Sequence, residues 1–351
     1  MRPKNAAVLV GILLGSCQKG TVTQNFIQPV DSFTVDILER PADFRNVYAE
    51  GDSVLEGFCA NDQVLVRYRR ENDKLVRCIR EYVNAPGLLM CGWKNGTGKW
   101  TFVDEQCQLW RYDSVLKASG YIFDTPSHKF AVSAAAAMPV LFYNGDTILP
   151  FIHYDRSPEN AVRSGCAMVR FGVTKATAFS PRPEVLRKQI QVQQTYCRNG
   201  SLLVMLYAGI DTLYLFDLSS GLQRHVPICN PDFVPQSEAD PHILTDVGKS
   251  ARYCASNFTY CGIFFNAHTG HYTLLYNKPP RAKSVMPNAD EKVAGALVLD
   301  TSFRTSGRYL FSHPAWIGLA FPMENGLAIP VDPQRHNGNA YHNLHCYIYR
   351  F

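Results

Sequence analysis

The sequence predicts an all-β fold assembled from repeated four-stranded antiparallel units, and three observations predict it. Short β-branched and aromatic runs alternate with polar turns of three to five residues. Asn-Gly pairs fall between apolar runs, the strongest short-range hairpin signal. No helix-period segment of useful length interrupts the pattern. With 46% hydrophobic and 19% charged residues over 351 positions, the chain can build a large core, which excludes a disordered or fibrous protein.

The first element in chain order is a leader. Arg2 and Lys4 precede an apolar stretch over residues 6–14, about half the length a membrane-crossing helix needs. Leu14-Gly15-Ser16-Cys17 follows, with the form of a bacterial lipobox. Residues 1–16 are therefore expected to be a lipoprotein signal peptide and Cys17 the acylated first residue of the mature chain. Several acyl chains on one residue hold a soluble domain at a membrane far better than one would. Residues 17–30 are then the anchor and a polar tether, and 31–351 the folded domain. Without the leader, 33 basic residues face 30 acidic ones, a balance that gives no support to nucleic-acid binding.

Two kinds of hairpin follow. Five pairs of runs are joined by tight turns: 64–68 with 74–79, 108–113 with 116–122, 167–171 with 175–179, 213–217 with 222–228, and 296–300 with 307–311. Three of the first strands end on Asp113, Asp217 or Asp300, a residue type that bonds its own following backbone and starts a turn. A second hairpin precedes most of these: 139–143 with 147–152, 193–197 with 201–206, 259–265 continuing past 266–270, and 316–321 with 326–330. Two hairpins in succession make a four-stranded unit, and six units fit the chain. Six such sheets in a row indicate a six-bladed β-propeller, in which radial packing buries both faces of each blade. The last unit, ending in strand 344–350, lacks a fourth strand, and the alternating N-terminal segment 33–38 can close the ring by supplying it.

Ten cysteines remain after Cys17, with no C-x-x-C pair. Export would permit disulfides, but several cysteines sit in apolar runs, where they serve as small buried hydrophobes. The sequence leaves pairing open and gives no zinc pattern. It also lacks G-x-S-x-G, H-E-x-x-H and a glycine-rich phosphate loop between strand and helix.

Function is expected on one face. The connections between hairpins are long (123–138, 153–165, 180–192, 229–258, 277–295, 331–343), and a propeller gathers them on one rim. The candidate binding residues are His153, Asp155, Arg156, Asp240, His242, Arg281, Arg335 and His336, with His313 at the start of the sixth unit. Arginine suits a carboxylate or phosphate through its two-pronged donors. Nothing in their spacing demands a metal, and no catalytic residue or cofactor is assigned.

At Tyr48-Ala-Glu-Gly51, the pair 64–79, Ala85-Pro-Gly87, and the late run Gly262-Ile-Phe-Phe265, His271-Tyr-Thr273, Leu297-Val-Leu-Asp300 and Glu324-Asn-Gly-Leu327, the chain resembles the TolB-like six-bladed propeller lipoproteins of Bacteroides-type bacteria. The resemblance spans essentially the whole mature chain, with departures at Leu88 and Asn266. It implies a fold and an envelope location, and little chemistry. An outer-membrane lipoprotein is expected, on the periplasmic side because Gln18-Lys19-Gly20 lacks the acidic run associated with surface export.

Two functions compete. One is a monomeric, non-enzymatic lipoprotein, held to the membrane through Cys17, whose propeller face binds an envelope protein, peptide or glycan. The other is a metal-dependent hydrolase, lactonase or lyase with its site at the channel. Such sites need acidic residues on the innermost strands, and the candidates 139–143, 193–197, 259–265 and 316–321 contain neither Asp nor Glu. Binding is therefore favoured.

Overall fold

The computed structural model describes residues 24–36, 44–50, 53–72, 74–94, 98–113, 115–121, 130–132, 139–153, 166–171, 176–179, 194–236, 243, 246–279, 292–312, 315–324, 326–331 and 343–351. Among them the fold is nearly all β. Two N-terminal strands, β1 (Asn25–Ile27) and β2 (Asp31–Asp36), belong to no hairpin of their own. The meander then begins with β3 (Phe44–Glu50), β4 (Val54–Cys59), β5 (Val64–Glu71) and β6 (Lys74–Tyr82). Next come β7 (Leu89–Lys94), β8 (Trp100–Asp104), β9 (Gln108–Asp113) and β10 (Val115–Tyr121).

A five-stranded sheet holds β11 (Phe130–Val132), β12 (Leu141–Tyr143), β13 (Asp146–His153), β14 (Cys166–Phe171) and β15 (Ala176–Phe179). The fourth meander is β16 (Gln194–Asn199), β17 (Leu202–Tyr207), β18 (Thr212–Asp217) and β19 (Gln223–Pro227). The fifth is β20 (Thr259–Asn266), β21 (His271–Lys278), β22 (Val293–Leu299) and β23 (Thr305–Phe311). The last strands are β24 (Phe321–Met323), β25 (Gly326–Pro330) and β26 (Asn343–Tyr349).

Turn chemistry explains the registers. Asn144 and Gly145 have φ of 46° and 83°, the pair of positive values that a two-residue hairpin loop with matching twist requires. Asp217 accepts from the backbone N–H groups of Ser219 (2.9 Å) and Ser220 (2.8 Å), and Asp300 from those of Ser302 (2.8 Å) and Arg304 (2.9 Å), so both start their turns as expected. Asn266 does the same, its Oδ1 accepting from the His268 N–H at 2.9 Å.

The sheets pack face to face in chain order. Phe58, Leu65 and Val83 of the first meander meet Leu89 and Phe102 of the second. Ile148 of the third packs on Tyr196, Leu203 and Met205 of the fourth. Val204, Leu206 and Leu215 of the fourth meet Tyr260, Leu274 and Leu297 of the fifth. Leu275 and Ala296 of the fifth meet Leu327, Ile329 and Tyr349 of the last. Central strands such as β17, with Leu203 to Tyr207 all buried, are apolar on both faces because both faces are covered.

The N-terminal segment joins the two ends of the meander. β2 pairs antiparallel with β26, placing Phe33 opposite Cys346 and Val35 opposite Leu344, which is the pairing expected for segment 33–38. β2 also pairs in parallel with β6 through Thr34–Lys74 and Val35–Leu75, so first and last strands share one eight-stranded sheet. Phe33, Val35, Leu75, Cys346 and Ile348 are packed in one cluster there.

Three local features differ from the sequence reading. Residues 247–256, inside a connection expected to lack helix, form α1 (Val247–Ser256), capped where Asp246 accepts from the Lys249 N–H at 2.9 Å. The strand expected over 316–321 is a 3-10 turn at Ile317–Leu319 followed by the short β24, since an apolar run without alternation specifies neither state. Within the expected tether 17–30, Asn25–Ile27 is already a strand, paired in parallel with Tyr309–Phe311 of β23. No helix among the described residues is long and apolar enough to cross a membrane.

Candidate functional site

Buried polar side chains concentrate where the long connection after β19 crosses between the fourth and fifth meanders. Gln194, Thr195, Asn230, Gln236, Asn257, Thr259 and Lys278 are each less than a tenth exposed there. The segment begins at Cys229, which is disulfide-bonded and left-handed at φ 57°. Asn230-Pro231-Asp232 then turns the chain, with the Phe233 N–H donating to the Asn230 carbonyl at 3.0 Å.

Asp232 is the centre of the network. Its Oδ1 accepts from Arg308 Nη2 at 2.6 Å and Lys278 Nζ at 3.0 Å, and its Oδ2 from Tyr276 OH at 2.7 Å and Arg308 Nε at 3.1 Å. Strand periodicity builds the receptor for this carboxylate: Tyr276 and Lys278 are two apart on β21 and share a face, and Arg308 reaches in from β23. Gly295, opposite Tyr276, has no side chain because a Cβ there would lie 2.5 Å from the tyrosine ring. The side chains of Asp232 and Lys278 are 11% exposed and that of Arg308 is 15% exposed. Burial alone would raise the Asp232 carboxyl, but hydrogen bonds from Arg308, Tyr276 and Lys278 outweigh it and hold the group below the ordinary carboxylate range.

A second carboxylate sits beside it. Asp211, between β17 and β18, accepts from Tyr260 OH at 2.6 Å and the Asn230 N–H at 3.1 Å. Burial dominates here and raises its carboxyl. One backbone bond and one side-chain bond close the seam: the Tyr260 N–H donates to Ala208 O at 2.8 Å, and the Gln236 side-chain Nε2 donates to Phe258 O at 3.0 Å. Both Asp232 oxygens are engaged by donors, so this carboxylate is a clamp for the crossing segment and is not presented as a base. Its formal balance is two cations to one anion. A parallel triad, Glu56 between Arg67 at 3.2 Å and Lys94, ties β4 and β5 to β7.

Of the residues expected on the rim, His153 is the last residue of β13, opposite Phe130. Asp155, Arg156, Asp240, His242, Arg281, His313, Arg335, His336 and the lipidation candidate Cys17 lie outside the described residues. Sequence reasoning passed over Asp211, Asp232, Tyr276, Lys278 and Arg308; the available signals were the Asn-Pro-Asp turn and the two-residue spacing of Tyr276 and Lys278. Cys107, Cys197 and Cys346 are buried, as their apolar runs suggested, and Cys59 and Cys91 are buried too. Burial pushes the Cys107 thiol up to about 11, with the Asp104 charge adding to it. Among the described residues no group of three or more His, Cys, Asp or Glu side chains is placed to hold a metal.

The architecture has counterparts among solved structures. A DUF4221 family member from Bacteroides vulgatus superposes with a TM-score of 0.70 at 13% identity, over 93% of this chain and 99% of that one. A Bacteroides fragilis protein described as exported superposes with a TM-score of 0.51 at 12% identity, over 94% and 95%. At these identities the likeness is one of fold. No protein-family model matches the chain, and no curated protein matches it.

Proposed function

We propose that this protein is a cell-envelope lipoprotein, anchored through Cys17, whose TolB-like six-bladed β-propeller offers a binding face to a protein, peptide or glycan and performs no catalysis. The ring reading is supported by the chain-order packing of the meanders and by β2 lying between β26 and β6. The observation that supports a binding role is the Asp232 network. It fixes a long connection to strands β21 and β23 of the fifth meander with four polar contacts to one carboxylate, while the Asn230 N–H ties the same segment to Asp211 of the fourth. Loops held on a rigid scaffold are where recognition surfaces are built. The opposite strand ends carry tight turns such as 144–145 and 217–222.

Two experiments test the two halves of this proposal. A Cys17→Ala variant should lose incorporation of a fatty-acid probe and leave the membrane fraction; unchanged labelling refutes the anchor. Replacing Arg156 and Arg335 together by alanine should weaken capture of the envelope partner while leaving the melting temperature within about 2 °C of wild type. Undiminished capture would remove these arginines from the binding face.

A further inference from the structure

A cavity of about 190 Å³ opens at the tight-turn ends of the fifth and last meanders, on the opposite side of the sheets from the Asp232 network. Its walls are aromatic: Phe264, Phe265, Tyr349 and Phe351 line it, with Met323 beside them. The rings are held in place from behind. Phe265 lies 4.8 Å from Tyr272, and Tyr349 stacks on Phe351 with an interplanar angle of 25°. Tyr349 is 1% exposed and its buried hydroxyl has no hydrogen-bond partner. Backbone proximity keeps the wall closed, since a Cβ on Gly326, which also lines the cavity, would lie 2.4 Å from the Tyr349 carbonyl oxygen.

The charge at the mouth has one sign. Glu324 lines the cavity and is exposed, and no lysine or arginine is among the described lining residues. In a chain with a formal net charge of +5, that is a local departure. Aromatic faces attract a cation through the ring quadrupole, and a carboxylate at the rim adds Coulomb attraction without having to be desolvated. His268 also lines it and is exposed.

We infer that this cavity binds an organic cation of guanidinium or alkylammonium type, with the partly exposed Phe265 and Phe351 as the aromatic wall, the buried Tyr349 behind them, and Glu324 as the counter-charge. The site is independent of the long-connection face, so failure of either leaves the other standing. The chemistry is shared by a basic side chain of a partner protein and by a free amine, and the test separates them.

The experiment follows the Met323 methyl resonance of protein labelled with carbon-13 at methionine methyls, titrated with Nα-acetyl-arginine amide and with its neutral isostere Nα-acetyl-citrulline amide. The arginine derivative should give a saturable shift, and the citrulline derivative should bind about tenfold more weakly. Glu324→Gln should weaken the arginine derivative roughly threefold, as an exposed counter-charge does, and Phe265→Leu should weaken it without abolishing the Met323 signal of the folded protein. Tetramethylammonium and spermidine form the free-amine arm; tighter binding of these than of an arginine-containing pentapeptide assigns a free amine, and the reverse assigns a partner's side chain. Equal binding of arginine and citrulline derivatives, or an unchanged affinity in Glu324→Gln, overturns the inference.

Discussion

Asp232 shows how much one carboxylate can organise. It is 11% exposed, yet it stays ionised because three side chains from two strands meet its two oxygens. Replacing Asp232 by Asn leaves Lys278 and Arg308 buried without their anion, and breaking a buried pair in this way costs about 3 kcal/mol. Urea unfolding should report that loss; a change under about 0.5 kcal/mol would mean that water or another group compensates. The sign with pH follows from the direction of the shift. A depressed carboxyl contributes stability above its unfolded value of about 4, and this is lost as pH falls through the lower folded value. Asp211 has the opposite sign: raised by burial, it favours the fold below about pH 4 and less so as pH rises through its folded value. Asp211→Asn should therefore be milder than Asp232→Asn at pH 7, and wild type should lose more stability between pH 5 and pH 2.5 than Asp232→Asn does. Equal acid loss in wild type and Asp232→Asn would show that the acid sensitivity lies elsewhere. None of these residues announces itself in the sequence, because the network draws on five separate segments. Each member alone reads as an ordinary strand or turn residue.

At the scale of elements, what was legible follows from local chemistry. The turn aspartates Asp217 and Asp300 and the Asn144-Gly145 pair specify their turns from adjacent residues, so the hairpins could be placed before any contact was known. Helix α1 was not legible for an equally local reason. Val247, Ala251 and Cys254 follow helical spacing, but a stripe that short within ten residues does not stand out from the long polar connection around it. Its start is set by the Asp246 cap. Asp246→Ala should cost about 1 kcal/mol locally, seen as faster amide exchange over residues 247–256 with little change in strands β20 and β21. Uniformly faster exchange across the fifth meander would instead make the helix part of the cooperative core. Strand β1 was hidden because Asn25-Phe26-Ile27 is three residues long and its partner, β23, lies 284 positions away at Asn25 and Tyr309.

Over the whole molecule, the N-terminal strands bind the two ends of the meander together. Deleting residues 18–23 should leave the melting temperature nearly unchanged, whereas deletion through residue 36 removes β1 and β2, exposes the edges of β26 and β6, and strips Phe33 and Val35 from their cluster. Equal stability of the two truncations would mean that the sheet does not depend on this closure. The order of packing was readable in advance because hairpins repeated at regular spacing. The course of the long connections was not, because no local turn or strand pattern specifies it. If a partner docks on the face above the Asp232 network, two exposed residues at opposite strand ends report it. Val234, 54% exposed, lies on the clamped connection, and Leu222, 72% exposed, lies on the tight turn between β18 and β19. Photo-crosslinking residues placed at each position, in otherwise unaltered protein incubated with envelope extract, should give a discrete adduct from position 234 and none from 222. An adduct from 222 with none from 234 would move the docking face to the tight turns.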